Sequence, residues 1–192
     1  MSEKIPDLAI ELFKYNIDVQ LERGVSLPNR TFTLTGEVNL DMFHRVDGCL
    51  NIFEGENNKA ITIRLCSEGG EIYSALAIIG RIKSSPCKIR VEAYGQIMSA
   101  ATAIFAVGDV RIASKYTSFM FHQTSMTLPE TKLRDIRTEL EQSERDDQLF
   151  NAILAEHSRQ GVEFWKNLIK PGQNTYLSAE QCLQLGLVDK VI

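Results

Sequence analysis

The alternation of apolar and polar positions becomes regular from Arg30 onward. Thr31-Phe-Thr-Leu-Thr35 follows the two-residue period of a half-buried strand and runs into Gly36. Asn39 is placed to cap a helix whose apolar face carries Phe43, Val46, Leu50 and Phe53. Ala60-Ile-Thr-Ile-Arg-Leu65 predicts the next strand, broken by Gly69-Gly70, and a helix follows with Ile72, Leu76, Ile79 and Ile82 on one face. Lys88-Ile-Arg-Val-Glu-Ala-Tyr94 reads as a third strand, stopped by Gly95. Ser99 to Ala106 is a small-residue helix, apolar enough to be buried, and Val110 to Ala113 and Ser118 to Phe121 are two more short strands. This β-α-β-α-β-α order belongs to right-handed crossover units on a mostly parallel sheet. Both glycine breaks fall at C-terminal strand ends, the edge along which open α/β sheets build their sites.

The flanks differ in character. Residues 1–17 read as an N-terminal extension in which Leu8, Leu12 and Phe13 make a short amphipathic turn; residues 18–192 read as a single domain. Thr127-Leu-Pro-Glu130 fits a capping box with proline in the first turn, opening a long helix over about 128–160. Its apolar stripe of Leu133, Ile136 and Leu140 is interrupted by Glu141 to Gln148, which hold no apolar residue, and resumes at Leu149, Phe150, Ile153 and Leu154. A helix polar all round in its middle cannot pack wholly on its own domain, so it either protrudes toward a partner chain or is two helices with a break; protrusion is the favoured reading. A turn at Pro171-Gly172, a helix capped by Ser178 and a strand from Leu187 to Ile192 close the chain.

Composition narrows the class. With 192 residues, 44% hydrophobic and 24% charged, the chain can bury a core without disulfide or metal staples. A net charge of −4 with no Lys/Arg run leaves no footprint for nucleic acid. No apolar run approaches the ~20 residues that cross a bilayer, and the N-terminus lacks a signal-peptide pattern. Cys49, Cys66, Cys87 and Cys182 are scattered among apolar neighbours and read as buried thiols in a reducing compartment. The expectation is a cytoplasmic protein with no metal site and no cofactor.

Dinucleotide-binding, Walker, zinc-protease, EF-hand and Gly-x-Ser-x-Gly motifs are all missing. What remains is a serine and a histidine in suggestive places. Ser99 lies just after a strand, at the first turn of the apolar helix, where free N–H groups and the positive end of the helix dipole favour an oxyanion. The competing reading is a plain helix cap. His122 ends the strand Ser118-Phe-Met-Phe, a place that equally suits a satisfied strand-end imidazole. His44 and His157 read as solvated surface groups.

Taken together, Ser67-Glu-Gly-Gly70, Gly95-Gln-x-x-Ser99 and Met120-Phe-His122-Gln-Thr124 resemble the three signatures of the Clp protease proteolytic subunit (ClpP) family: Ser-Pro-Gly-Gly, Gly-x-x-x-Ser and Met-x-His-Gln-Pro. The likeness extends from about Ile17 to Ile192 and includes Arg30-Thr-Phe-Thr-Leu-Thr-Gly-Glu-Val38, Tyr176-Leu-Ser-Ala-Glu and Gly186-Leu-Val-Asp-Lys-Val. It implies a ClpP/crotonase-like α/β fold with the long helix as a protruding handle. It implies that Ser99 is the nucleophile and His122 its general base, with the amides of Gly70 and Ala100 as oxyanion hole. Gly69, Glu71, Gln123 and Thr124 would hold substrate as an extended strand. The function implied is ATP-dependent serine endopeptidase of unfolded proteins, inside a chamber of two stacked rings of this chain or of a mixed ring with a paralogue. ATP would be used by a separate AAA+ unfoldase.

The departures are informative. Where the family carries the acidic third member of its triad, this chain has Asn174, which can hold the histidine tautomer but supplies no charge. Glu68 stands in place of the usual proline, and Thr124 in place of another. The pattern fits a divergent, paralogous or phage-type member. A weakly active or inactive structural subunit of a mixed Clp ring is the alternative, and a crotonase-type acyl-CoA enzyme a third reading.

Overall fold

The strand order of one sheet explains most of what surrounds the candidate site. The computed structural model describes residues 11–12, 14–15, 22–124 and 133–192. In chain order the elements are β1 (Val25–Ser26), β2 (Thr31–Val38), α1 (Leu40–Glu56), β3 (Ile61–Gly70), α2 (Ile72–Lys83), β4 (Ile89–Met98), α3 (Ala100–Ala106), β5 (Val110–Ala113) and β6 (Ser118–Phe121). Then come α4 (Leu133–Glu156), α5 (Val162–Leu168), β7 (Thr175–Ser178), α6 (Ala179–Leu185) and β8 (Lys190–Val191). The sheet runs β1-β2-β3-β4-β5-β8, with β6 paired to β4 and β7 paired to β6. Strands β2 to β5 and β8 are parallel, as the crossover pattern predicts, and the antiparallel pairs are β1 with β2 and β6 with β7.

Two of the expected strand ends are not ends. Strand β3 continues through the glycines, pairing Gly69 with Glu37 and Gly70 with Val38. Glycine is required there for close approach rather than for a break: a Cβ on Gly69 would lie 2.6 Å from both Met98 O and Ser99 Cβ. Strand β4 likewise runs past Gly95 to Met98. Its first half pairs with β5 at Arg90 to Ala93 and its second half with β6 at Gln96 to Met98. Between them the register against β3 slips, from Leu65–Ala93 to Ser67–Ile97, and Gly95, with φ of +68°, sits in the extra length. This bulge turns the end of β4 away from β5, which brings Ser99 and β6 together.

The helices form where the 3.6-residue pattern places them. Asn39 caps α1 through its Oδ1, which accepts from the Met42 amide at 3.0 Å, and a full capping box of Ser178 and Gln181 opens α6. The core gathers Phe32, Phe53, Phe105, Phe119, Phe121 and Trp165, all fully buried. Every residue of α3 is buried, as its composition implied. The last strand is shorter than expected, Lys190–Val191 only, because Leu187 and Val188 are spent in the core ahead of it.

Helix α4 is described over Leu133–Glu156, within the expected span; its proposed capping box at Thr127 to Glu130 lies outside the described residues, as do Leu8 and Phe13 of the N-terminal turn. Leu12 of that turn is helical and exposed. On α4, Leu140 is exposed while Asn151 and Leu154 are buried, so the second half of the helix packs on its own chain and this part of the first half does not. All four cysteines are free, but Cys66 is only half-buried, unlike the other three, because its side chain lies on the face of β3 opposite Leu65 and Ser67. Burial and the nearby Lys83 hold His157 below the usual imidazole value, correcting the expectation of a solvated group; His44 is exposed. No helix among the described residues is long and apolar enough to cross a membrane.

Candidate active site

Ser99 is the single residue between β4 and α3, and its backbone shows the cost of that position. Its φ of 53° and ψ of −129° lie in a region L side chains rarely adopt, a strain on the order of 1–3 kcal/mol. The surroundings hold it there. The Ser99 amide donates to Met120 O at 2.8 Å, across the β4–β6 edge, and its carbonyl accepts from the Thr102 amide at 3.0 Å and the Thr102 hydroxyl at 2.7 Å. The Ser99 side chain makes no capping hydrogen bond. Its Oγ lies instead 2.6 Å from Nε2 of His122. A sharp strand-to-helix turn thus presents a hydroxyl to an imidazole, which is the geometry of a base-activated nucleophile.

His122 is the first residue after β6 and is half-buried. Strand β6 is anchored on one side by β4 and on the other by β7, and Phe119 and Phe121 are buried in the core. Phe121 packs against Trp165 with ring centroids 5.2 Å apart. The imidazole is therefore carried by the residue directly after a strand held on both sides.

Ser99 and His122 border a cavity of about 80 Å³ that Gly70 and Ala100 also line. The remaining wall is mostly apolar and includes Ile72, Phe150, Leu154 and Ile169. Ala100 opens α3, so its amide belongs to the helix's first turn, where N–H groups have no partner within the helix. Of the residues expected to hold substrate, Gly69 touches the Ser99 region closely but gives its amide to Ser67 Oγ at 3.1 Å. Glu71 gives its amide to Val38 O at 2.7 Å, and its carboxylate accepts from the Ser74 hydroxyl at 2.6 Å. Gln123 and Thr124 follow His122 directly and are half-buried.

Asn174 is brought near but not joined. The β6–β7 register pairs Phe121 with Thr175, so the next step places Asn174 opposite His122. Yet Asn174 is exposed, and no hydrogen bond links it to His122 among the described residues.

Sequence reasoning missed Asp147. This residue of α4 is the one carboxylate among the described residues lining the cavity. Its Oδ1 accepts from both the amide and the hydroxyl of Thr124, each at 2.9 Å. The signal was present: Asp147 sits three residues before Phe150 and seven before Leu154, so a carboxylate occupies the apolar face of the helix. The polar run of Glu141 to Gln148, read as the middle of a helix that cannot pack wholly on its own domain, turns Asp146 and Asp147 partly inward.

Comparison with known proteins agrees with this architecture. The model of the Clp protease family matches residues 20–192. Among solved structures, an Asn-to-Asp mutant of ClpP1 from Listeria monocytogenes is similar, with a TM-score of 0.80 and 24% identity, over 92% of this chain and 95% of that one. At that identity the likeness speaks for the fold.

Proposed function

We propose that this chain, which belongs to the Clp protease family, is a serine endopeptidase subunit that cleaves unfolded polypeptides, using Ser99 as nucleophile and His122 as general base. The single observation that carries this is the 2.6 Å approach of Ser99 Oγ to His122 Nε2 beside the first turn of α3. Ser99 Oγ attacks the scissile carbonyl as His122 takes its proton. The amides of Gly70 and Ala100 receive the oxyanion, and His122 then gives the proton to the departing amine. Water, deprotonated by the same imidazole, releases the acyl group and restores Ser99.

Substrate is held as an extended strand against the backbone around Gly69 to Glu71 and after His122. The Glu71 amide is already engaged by Val38, and that of Thr124 by Asp147, so pairing there falls to the remaining carbonyls. Asn174 completes the triad only if its side chain turns inward, which makes a slow or conditional Ser-His-Asn site. The unpacked Leu140 on α4 fits a handle that meets another copy, closing a chamber of stacked rings fed by an AAA+ unfoldase. The cavity's residues call for no cofactor in this chemistry.

The exposed Asn174 favours one second reading, a weakly active or inactive subunit of a mixed ring. A fluorophosphonate probe separates the two, with native mass spectrometry of the same samples reporting assembly. Ser99 of the peptidase labels, Ser99→Ala does not, and peptide hydrolysis is lost in the variant. Absence of label at Ser99, alone or with an active paralogue, defeats the peptidase reading.

A further inference from the structure

We infer that Asp147 is a positioning residue for His122: its carboxylate, presented by α4, grips Thr124 and thereby fixes the chain that leaves β6 carrying the imidazole. Strand pairing ends at Phe121, so His122, Gln123 and Thr124 have no ladder to hold them. Two sets of contacts replace it. One is the His122–Ser99 pair itself. The other is the clamp on Thr124, in which the amide and the hydroxyl both donate to Asp147 Oδ1 at 2.9 Å.

The hydroxyl has one proton. If Asp147 accepts it, the 2.8 Å contact between Thr124 Oγ1 and Ser143 Oγ has Ser143 as donor. Ser143 and Asp147 are four residues apart on α4 and so share a face, which sets both groups against one threonine. Hydrogen bonds to a carboxylate are the stronger kind, and these lie in a half-buried setting that limits competition from water.

The clamp matters because, among the described residues, no hydrogen bond orients the imidazole from its far side. With Asn174 in solvent, no bond from β7 fixes the imidazole. Among the described residues, the grip on Thr124, two residues beyond His122, is then the nearest restraint on the ring apart from Ser99 itself. A displacement of about 1 Å between reacting groups can cost about 10²-fold in rate. Asp147 touches neither Ser99 nor His122 in a hydrogen bond, so its influence runs through the backbone from Thr124.

The rate consequence rests on the peptidase reading, but the position of His122 does not, and the test uses both. The first readout is carbethoxylation of His122 by diethylpyrocarbonate, followed by peptide mass spectrometry with the exposed His44 as internal reference. The second is the rate of fluorophosphonate labelling at Ser99. Asp147→Asn, Asp147→Ala and Thr124→Val should raise the His122/His44 modification ratio severalfold. Where wild type labels, they should slow labelling by about ten- to hundredfold. Thr124→Ser keeps the hydroxyl and should restore both values to within about twofold, a rescue that separates lost contact from lost fold. Glu144→Gln, on the exposed face of the same helix, should change neither. A modification ratio that stays at the wild-type value in folded Asp147→Ala and Thr124→Val overturns the inference. A ratio that rises in those variants while wild-type Ser99 takes no label sustains it and defeats the peptidase reading instead.

Discussion

Asn174 lies one residue before Thr175, the β6–β7 partner of Phe121, and so next to His122 in the chain layout, with its side chain in solvent and no hydrogen bond to the imidazole. The backbone thus brings Asn174 near the imidazole without a contact between them. Two substitutions read this out. Asn174→Ala should retain at least about a tenth of wild-type peptide hydrolysis, because little is removed that the resting structure uses. Asn174→Asp should raise kcat by about tenfold or more with KM little changed, since a carboxylate stabilises the imidazolium that forms only during reaction. In trypsin-type proteases the reverse change costs about 10⁴-fold. No rise in kcat would mean that charge beside His122 is not what limits turnover.

The strained backbone of Ser99 makes a second outcome separable from the first. Ser99→Ala and Ser99→Gly should both abolish labelling and hydrolysis. They should differ in stability, because glycine adopts the φ of 53° freely and alanine does not. Relief of a left-handed conformation is worth about 1–2 kcal/mol per residue, which at this chain length raises the melting temperature by a few degrees. Thermal unfolding of the two variants side by side gives the difference directly. If Ser99→Gly melts no higher than Ser99→Ala, the turn is not strained.

Two glycines should respond to alanine with opposite signs. At Gly69 the new methyl would collide with Met98 O and Ser99 Cβ at a φ of +92°. Gly69→Ala should lose several degrees of thermal stability and all Ser99 labelling, since the backbone cannot move without displacing Ser99. Gly48 lies within α1, where a methyl meets nothing within 4 Å. Gly48→Ala should gain about 0.5–1 kcal/mol from the helical preference of alanine alone, with labelling unchanged. A loss of stability at Gly48 would show that the space beside α1 is occupied.

These glycines also show where the sequence was legible and where it was not. The parallel βαβ order could be read because most strands and helices have one buried face, and burial imposes its period on the residues. Gly69-Gly70 and Gly95 could not be placed that way. Locally a glycine reads as a stop, whereas here Gly69-Gly70 runs on as strand β3 beside Ser99 and the single Gly95 lies in a bulge of β4. Short elements such as α5 and β7 left too little pattern to stand out, even though Trp165 of α5 is fully buried. Ser99 and His122 were singled out by strand-end and helix-start positions and by motif, not by periodicity. Asp147 was hidden because a run of polar residues on a helix gives no sign of which member is turned inward until the fold shows one of them hydrogen-bonded to Thr124 beside the cavity.

The ion pairs between α1 and α2 should make stability depend on acid pH in a calculable direction. Arg81 donates from Nε to Asp47 Oδ1 at 2.8 Å and from its two terminal nitrogens to the Glu54 carboxylate at 3.0 Å and 2.7 Å. Those hydrogen bonds hold the Glu54 carboxyl below its ordinary value, outweighing the burial that opposes them, and the Ser85 hydroxyl helps. A carboxyl depressed in the folded state binds its proton more tightly when unfolded. Its contribution is therefore complete above the ordinary carboxylate value of about 4.3 and is lost as pH falls through the lower folded value. Glu54→Gln should melt below wild type near pH 7, and the gap should close as pH falls toward about 3. A gap of constant size across that range would mean that the Arg81 pairing adds nothing to stability beyond what the neutral amide retains.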